Sequence, residues 1–239
     1  MKRTQSNYFR FVRLRLRGYK IFGSFNDFRF NQERTLIIGA NGTGKTIIVE
    51  ALESLGASRS TQPFRVVNSH GVSSVAVVTE GDCELIKKYR SLIFLNRESL
   101  EYLVTQRQDP VIKNMVPDSA RGEVASKTRE FFQSILSFKE GKLYTYRDLN
   151  PHIMAAGEKI CFGFAFVFAV REALKLDIPV VLDSPYAMLD EVLRKGVRNF
   201  LESQSCQQIL LGHECEFTEE EKPKYILVHV EDHSHVMEY

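Results

Sequence analysis

The first strand candidate of the chain alternates hydrophobic and polar side chains, as a half-buried strand does. Within Phe9–Arg17, three arginines share one face of an extended chain and the two leucines between them share the other. Shorter extended stretches are predicted at 25–30, 35–38 and 92–95, and a hairpin is predicted from strands at 75–78 and 83–88. The N-terminal half is therefore expected to be rich in β-strands.

A helical period replaces this alternation in the second half of the chain. Helices are predicted at 124–138, 158–174 and 190–201, and an earlier helix at 47–55 follows a glycine-rich loop. Apolar runs at 180–182, 208–211 and 225–230 have the length of buried strands, and 142–151 is predicted to be irregular. This order of elements predicts an α/β sheet with a phosphate site at the carboxyl end of a strand.

Composition narrows the class of protein without identifying a partner. The chain has 239 residues, 44% of them hydrophobic and 26% charged, which is typical of a globular protein. The formal net charge of +2 neither requires nor excludes nucleic acid, because local patches decide electrostatic binding. The longest apolar run, 160–170, is too short to span roughly 30 Å of hydrocarbon, so we expect a core helix and no membrane span.

The cysteines and histidines give little indication of a metal centre. The four cysteines form no C-x-x-C pair, which argues against a zinc knuckle or a disulfide framework and fits a reducing cytosol. His233 and His235 have a metal-like spacing, but only Glu231 and Asp232 lie near them in sequence, so a metal site there is not favoured.

The glycine-rich loop carries the most specific motif in the chain. Residues 39–46 read G-A-N-G-T-G-K-T, which fits the phosphate-binding pattern G-x-x-x-x-G-K-[ST], and they follow a predicted strand and open a predicted helix. Glycines let backbone N–H groups curl around phosphate oxygens, Lys45 adds positive charge, and the Thr46 hydroxyl can ligate Mg²⁺. The expected nucleotide-binding residues here are Gly39, Asn41, Gly42, Thr43, Gly44, Lys45, Thr46 and Ile47.

A carboxylate follows the apolar run 180–182. Asp183 stands where a P-loop protein needs an acid to hold Mg²⁺ through its water shell. Many parallel strands end in Asp as a cap or turn residue, so this signal depends on the P-loop for its meaning.

Taken with the P-loop, several short segments resemble the ABC-type ATPases of the SMC/RecF chromosomal branch. Residues 13–20 with Phe25 resemble its opening strands, 48–52 its first helix, 93–98 its Q-loop strand, 154–159 its signature motif, 182–185 and 187–190 its Walker B motif and D-loop, and 209–214 its switch-histidine strand. The resemblance covers nearly the whole chain.

This resemblance implies a P-loop NTPase fold, an ABC ATPase head at 1–239 with a β-rich N-terminal lobe and an α/β C-terminal lobe. It places the Walker A motif and Q-loop in a first lobe at about 1–100, a connecting helical segment at about 101–150, and the other motifs in a second lobe at about 151–239. The cofactors it implies are ATP and Mg²⁺. Further nucleotide-binding residues are then Asn96, Arg97, Ala155, Gly157 and Glu158, metal ligands Thr46, Asp183 and Asn96, and catalytic residues Asp183, Ser184, His213 and Asp190.

Two site residues depart from the pattern of that branch. Ala155 replaces the signature serine, which loses one charge-assisted hydrogen bond worth about 1.5–3 kcal/mol, although a helix starting near Gly157 still offers backbone donors. Ser184 replaces the catalytic glutamate, and a hydroxyl is a poor general base. Hydrolysis is therefore expected to be slow unless Asp190, Glu191 or His213 positions the water.

The long heptad coiled coil of repair and SMC-type ATPases has no counterpart in the sequence. Only about fifty residues separate the Q-loop from the signature, and Pro110 and Pro117 interrupt them. A chain that naturally lacks the coil and one whose lobes were joined artificially both fit.

Three functions are carried forward from the sequence. The first is an ATPase that dimerises around ATP and Mg²⁺ and acts in DNA repair, modification or defence with a nuclease or DNA-modification partner. The second is an ATP-gated clamp with negligible hydrolysis, and the third is the nucleotide-binding subunit of an ABC transporter.

The arginine-rich first strand and the acidic stretch near the C-terminus each allow more than one interpretation. Arg13, Arg15 and Arg17 could contact DNA phosphates, but an edge strand whose arginines deter strand pairing is the favoured interpretation. The acidic stretch 214–221 is interpreted as a solvated loop.

Overall fold

The computed structural model describes residues 7–23, 25–57, 64–68, 71–105, 114–136 and 154–239. Its contacts divide the chain into two compact units. Unit 1 comprises Met1–Phe94, Asp177–Pro185 and Cys206–Tyr239, and unit 2 comprises Leu95–Leu176 and Tyr186–Ser205. Each unit is assembled from segments far apart in sequence, whereas the lobes expected from the sequence follow chain order, so those lobe limits stay a prediction.

The secondary structure alternates strands and helices through most of the described chain. The strands are β1 (Phe9–Arg17), β2 (Asn26–Arg29), β3 (Arg34–Gly39), β4 (Phe64–Asn68), β5 (Gly71–Gly81), β6 (Phe94–Asn96), β7 (Val180–Asp183), β8 (Gln208–Gly212), β9 (Tyr225–Val230) and β10 (His233–Glu238). The helices are α1 (Lys45–Ala57), α2 (Glu84–Ile93), α3 (Arg97–Thr105), α4 (Arg121–Leu136), α5 (Ala156–Ala173) and α6 (Glu191–Glu202). Short 3₁₀ turns lie at Asp118–Ala120 and Glu214–Glu216.

One sheet of unit 1, called here the N-terminal sheet, has the strand order β2-β1-β5-β4 with antiparallel pairing. A register shift between Phe11 and Arg13 puts a bulge in β1. The bulge lets Phe9 and Phe11 bury on the same side as Leu14 and Leu16. Because β1 lies between two partners, the interpretation of β1 as an edge strand is wrong.

The central sheet has the strand order β10-β9-β3-β8-β7-β6, and Phe94, the first residue of β6, belongs to unit 1. Strands β3, β8 and β7 run parallel, with Ile38 opposite Gly212 and Asp183 opposite Leu211. Their carboxyl ends therefore meet at one edge of the sheet, with β8 between the strand that precedes the P-loop and the strand that ends in Asp183. This is the edge at which α/β proteins place ligands.

Gln207, just before β8 of the central sheet, is hydrogen-bonded through its side chain to β1 of the N-terminal sheet. Its side chain is 2% exposed, its Oε1 accepts from the Phe11 N–H at 2.9 Å, and its Nε2 donates to the Phe11 and Asn31 carbonyls at 2.7 and 2.8 Å. The Phe11 N–H and carbonyl, which lie beside the bulge, are therefore hydrogen-bonded by the Gln207 side chain from the segment before β8.

Unit 2 is built from helices around the apolar length of α5. Residues 160–170 are all buried, so the expected core helix is confirmed. Phe132 of α4 contacts Phe162, and Phe200 of α6 contacts Phe168, each edge-on with ring centroids 5.3 Å apart. Within the described residues, no helix has the length and apolar character needed to cross a membrane.

Several predicted elements differ from the observed ones. The strand expected at 83–88 is wrong, because those residues open α2, whose buried side chains recur at helical spacing. The strand expected at 92–95 is half right, because residues 92 and 93 end α2 and residues 94 and 95 belong to β6. The elements α3, β4 and β10 were not predicted. The irregular stretch expected at 142–151 lies outside the described residues.

Candidate functional site

The P-loop joins β3 to α1 at the carboxyl edge of the central sheet. Gly42 and Gly44 have φ of +79° and +98°, a region that L side chains rarely adopt. A Cβ at Gly44 would also lie 2.9 Å from the Phe22 ring, so the segment before β2 packs directly against the loop. Thr43 is buried and its Oγ1 donates to the Ala40 carbonyl at 2.9 Å, whereas Asn41 and Gly42 are exposed and Ile47 is half-buried.

Lys45 is folded back onto the loop that carries it. Its Nζ donates to the carbonyls of Gly39 at 2.7 Å and Ala40 at 2.8 Å, and the residue is only 8% exposed. Burial lowers the pKa of the Lys45 ammonium, and the charges of Asp183 and Glu216 oppose that shift. The loop therefore holds a largely desolvated cation close to two carboxylates.

Asp183 meets the helix that follows the P-loop. The Thr46 hydroxyl donates to Asp183 Oδ2 at 3.2 Å, joining the end of β7 to the first turn of α1. Burial raises the pKa of the Asp183 carboxyl, Thr46 and Lys45 lower it, Glu216 raises it further, and His213 lowers it. Asp183 is thus a half-buried carboxylate beside a hydroxyl and a cation.

Ser184 has an unusual backbone conformation. Its φ is +53°, and its N–H donates to the Leu211 carbonyl at 2.7 Å. The hydrogen bond extends the pairing of β7 with β8 by one residue and keeps Ser184 at the carboxyl edge of the sheet.

His213 follows β8 at the same edge and opens a 3₁₀ turn. The His213 N–H donates to Glu216 Oε1 at 3.0 Å. Glu216 is 4% exposed, so the interpretation of the acidic stretch as a uniformly solvated loop is wrong at this residue. The sequence carried no clear signal for it, because the capping pattern that ends in Glu begins with Ser or Thr, and residue 213 is His.

The other predicted site residues belong to unit 2. Ala155 caps α5 with its backbone, and Glu158 is buried with Oε2 accepting from the Ala155 N–H at 3.2 Å. Gly157 lies so close to α6 that a Cβ there would be 2.9 Å from Leu193 Cδ1. These contacts explain the helix start without any ligand.

Asn96, Arg97 and Asp190, also in unit 2, make local contacts as well. Asn96 Oδ1 accepts from the Ser99 N–H at 2.7 Å, which caps α3, and Arg97 pairs with Glu101 at 2.9 Å. Asp190 Oδ1 accepts from the Leu193 N–H at 2.8 Å, which caps α6. Unit 1 therefore gathers the predicted residues of the P-loop with Asp183, Ser184 and His213, and their roles remain predictions.

The residues of this edge fit a nucleotide phosphate with a divalent cation. A loop with exposed backbone at Asn41 and Gly42 and a buried ammonium suits an anion, and the Thr46 hydroxyl beside the Asp183 carboxylate supplies hard oxygen ligands. Within the described residues, no group of three or more His, Cys, Asp or Glu forms a metal cluster. Mg²⁺ would be held here by Thr46 and Asp183 with phosphate and water.

Comparison with known families shows which family the chain belongs to. The model of the RecF/RecN/SMC N-terminal domain matches residues 10–235. The chain belongs to that family. It is an ABC-type ATPase head of the SMC/RecF branch, and proteins of this family generally bind ATP with Mg²⁺.

Solved SMC heads share the fold of this family member. The SMC head domain from Thermotoga maritima is 17% identical with a TM-score of 0.63, covering 96% of this chain and 99% of that one. The Smc head domain of Pyrococcus furiosus, solved with an extended coiled coil and bound to the C-terminal domain of ScpA, is 13% identical with a TM-score of 0.66, covering 97% and 96%. The ABC ATPase head fold expected from the sequence is therefore confirmed.

A transporter protein is also similar to this SMC-type head. A provisionally assigned ABC transporter ATP-binding protein of Bartonella henselae is 24% identical over 192 residues, which are 79% of this chain and 75% of that protein.

Proposed function

We propose that this head binds ATP with Mg²⁺ and hydrolyses it slowly to control its association with DNA and a partner protein. The observation that carries the proposal is the grouping of Lys45, Thr46 and Asp183 at one edge of the central sheet. Lys45 would exchange its two loop carbonyls for phosphate oxygens, and Thr46 and Asp183 would hold the cation, whose charge offsets that of the phosphates.

The test of nucleotide binding is the replacement Lys45→Met, which keeps the length of the stem and removes the charge. We expect the affinity for ATP to fall about 100-fold, because charge-assisted hydrogen bonds contribute about 1.5–3 kcal/mol each. Lys87→Met is a matched control, since Lys87 is exposed and pairs only locally with Glu84. Titration calorimetry measures both variants, and unchanged affinity in a folded Lys45→Met protein would refute the nucleotide site.

DNA is the proposed macromolecular ligand, supported by the outer face of the N-terminal sheet. Arg13 lies directly opposite Arg29 in the pairing of β1 with β2, and Arg15 and Arg17 are exposed. Asp27 contacts Arg13, and Arg13 holds the pKa of that carboxyl below its usual value. Within residues 13–17 and 26–29, four arginines surround the single carboxylate Asp27, and this excess of positive charge favours a polyanion.

Charge reversal tests this face. In Arg15→Glu with Arg17→Glu, we expect duplex DNA affinity to fall and the slope of log affinity against log salt to become shallower, because phosphate contacts release counterions. Lys222→Glu, at an exposed position in the loop before β9, is the control. Fluorescence anisotropy at several salt concentrations measures the affinity, and equal slopes in all three proteins would exclude this face as the DNA site.

An ATP-gated clamp with negligible turnover is the second candidate. Ser184 favours it, because the position after Asp183 carries no carboxylate to activate water. Turnover at saturating ATP and Mg²⁺, compared with dimerisation measured by light scattering, separates a clamp from an ATPase.

A transporter subunit is the third candidate, supported by the name of the Bartonella henselae protein. Co-purification with a membrane permease would favour it over the DNA-directed function.

A further inference from the structure

Glu216 is a buried carboxylate that no predicted role uses. Strand β8 lies between β3 and β7, and after Gly212 the chain makes a single turn, Glu214–Glu216. This path carries Glu216 to the edge of the sheet that holds Lys45 and Asp183. The neighbouring Glu214 is exposed, so only one acid of this turn is directed inward.

The backbone around Glu216 fixes its carboxylate. Oε1 accepts from the His213 N–H at 3.0 Å, and the Glu216 N–H donates to the His213 carbonyl at 2.9 Å. Gly212 leaves room for this closure, since a Cβ there would lie 3.1 Å from Glu216 Oε1 and 2.7 Å from the Phe217 ring. These two hydrogen bonds therefore fix the His213 backbone and the Glu216 carboxylate relative to each other.

The charge of Glu216 acts on both functional groups at this edge. Burial lowers the pKa of Lys45 and raises the pKa of Asp183, and the Glu216 charge raises both. Desolvating a carboxylate costs several kcal/mol unless nearby charges and hydrogen bonds offset it. The Asp190 carboxylate caps α6 in unit 2, and Ser184 has no carboxylate, so Glu216 is the second acid that unit 1 brings to Lys45.

We propose that Glu216 is a positioning residue for ATP hydrolysis, which holds the His213 backbone through a hydrogen bond and supplies negative charge at the carboxyl edge of the central sheet. This inference rests on the proposed ATPase function. The hydrogen bond fixes the conformation of the turn that begins at His213. The negative charge of Glu216 weakens the binding of ATP until a cation neutralises the phosphates.

Two substitutions separate the hydrogen bond from the charge. Glu216→Gln keeps an oxygen acceptor for the His213 N–H and removes the charge, Glu216→Ala removes both, and Glu214→Gln removes a charge from the exposed side of the same turn. We expect kcat to fall about 10-fold or more in Glu216→Ala, which loses the hydrogen bond, and less in Glu216→Gln, which keeps it, with KM not raised, because misplaced groups can cost up to about 100-fold in rate. Glu214→Gln is expected to match the wild type.

The charge has a second readout that does not require turnover. In EDTA, ATP should bind Glu216→Gln about threefold more tightly or better than it binds the wild type, because a buried like charge has been removed. Added Mg²⁺ should then improve binding less in this variant than in the wild type. Thermal unfolding of each variant establishes that the fold is retained.

The outcomes separate this inference from the ATPase proposal. Wild-type kcat for Glu216→Ala together with wild-type affinity in EDTA for Glu216→Gln, when the wild type binds and hydrolyses ATP, would overturn the role of Glu216 alone. A wild type that does not bind ATP overturns both, and one that binds without turnover overturns the role in hydrolysis. A raised KM with unchanged kcat would also overturn it, because that is the signature of simple binding.

Discussion

At the scale of single residues, the conformation of Ser184 decides what chemistry the end of β7 can do. A left-handed φ costs an L residue about 1–2 kcal/mol, and the hydrogen bond from Ser184 N–H to the Leu211 carbonyl helps to offset it. With this backbone conformation, a side chain of any type at position 184 would project from the carboxyl edge of the sheet. The predicted general-base role of this position therefore depends on the residue type and not on the backbone.

Ser184→Glu should raise turnover by up to about 100-fold if the glutamate reaches the attacking water. Ser184→Gln introduces a side chain of the same shape as glutamate but without its charge, and is expected to leave turnover unchanged. Single-turnover hydrolysis measures both. The alternative is that Asp190 or Glu191 already acts as the base, in which case Ser184→Glu would be neutral or harmful and Glu191→Gln would lose activity.

The residues that the sequence could predict are those whose role is local. The P-loop residues and Asp183 sit in contiguous motifs, and the structure places Thr46 against Asp183 as a shared cation site requires. Glu216 was missed because burial depends on β8 lying between β3 and β7, which is a property of the sheet order. A stretch of acidic residues alone cannot distinguish its one buried member from its exposed neighbours.

At the scale of elements, helical spacing within a short segment explains the clearest difference between expectation and structure. The strand predicted at 83–88 overlooked the 3-4 spacing of Leu85, Ile86 and Tyr89, which defines the buried face of α2. The bulge in β1 is invisible to simple alternation, because one extra residue reverses the face of everything that follows it. The long apolar run of α5, by contrast, was predictable because burial on all sides needs no periodicity.

Asp190 is expected to act as the N-cap of α6. Asp190→Ala should lower the free energy of unfolding by about 0.5–2 kcal/mol, whereas Asp190→Asn should stay close to the wild type, because an asparagine oxygen can accept the same hydrogen bond from the Leu193 N–H. Chemical denaturation measures both. Equal destabilisation by the two variants would show that the charge, and not the cap, is what matters.

Gln207 is expected to stabilise unit 1 more than any exposed glutamine does. Gln207→Leu leaves the Phe11 N–H and the carbonyls of Phe11 and Asn31 without this amide, so the unfolding free energy should fall by about 2–4 kcal/mol. Gln32→Leu, at an exposed position, is the control. Urea denaturation gives both values, and a loss below about 0.5 kcal/mol for Gln207→Leu would contradict the role of the amide.

At the scale of the whole molecule, the two units divide the predicted functions between them. Unit 1 holds the P-loop, Asp183 and His213, and unit 2 holds the signature helix α5. Both units use separated stretches of chain, which is why motif order could identify the family while leaving the lobe limits a prediction. The predicted phosphate contacts differ between the units: a loop with a cation in unit 1 and a helix N-terminus in unit 2.

The N-terminus of α5 carries the prediction about assembly. Ala155 and Ala156 are exposed, and alanine offers no side-chain acceptor or donor at the cap. In the proposed dimer this helix end faces the nucleotide of the partner copy with backbone N–H groups and its dipole alone. The chain is therefore expected to be monomeric without nucleotide and to form a weak two-fold dimer with ATP and Mg²⁺.

Ala155→Ser should strengthen that dimer by adding a hydroxyl donor at each helix end. One charge-assisted hydrogen bond contributes about 1.5–3 kcal/mol, so the dimer dissociation constant with ATP and Mg²⁺ should fall at least about 10-fold. Ala173→Ser, at the far end of the same helix, is the control. Light scattering across a concentration series measures the dissociation constant. A tight dimer that ignores nucleotide would refute the assembly, and so would an Ala155→Ser protein whose association is unchanged, because the helix end would then have no phosphate to meet.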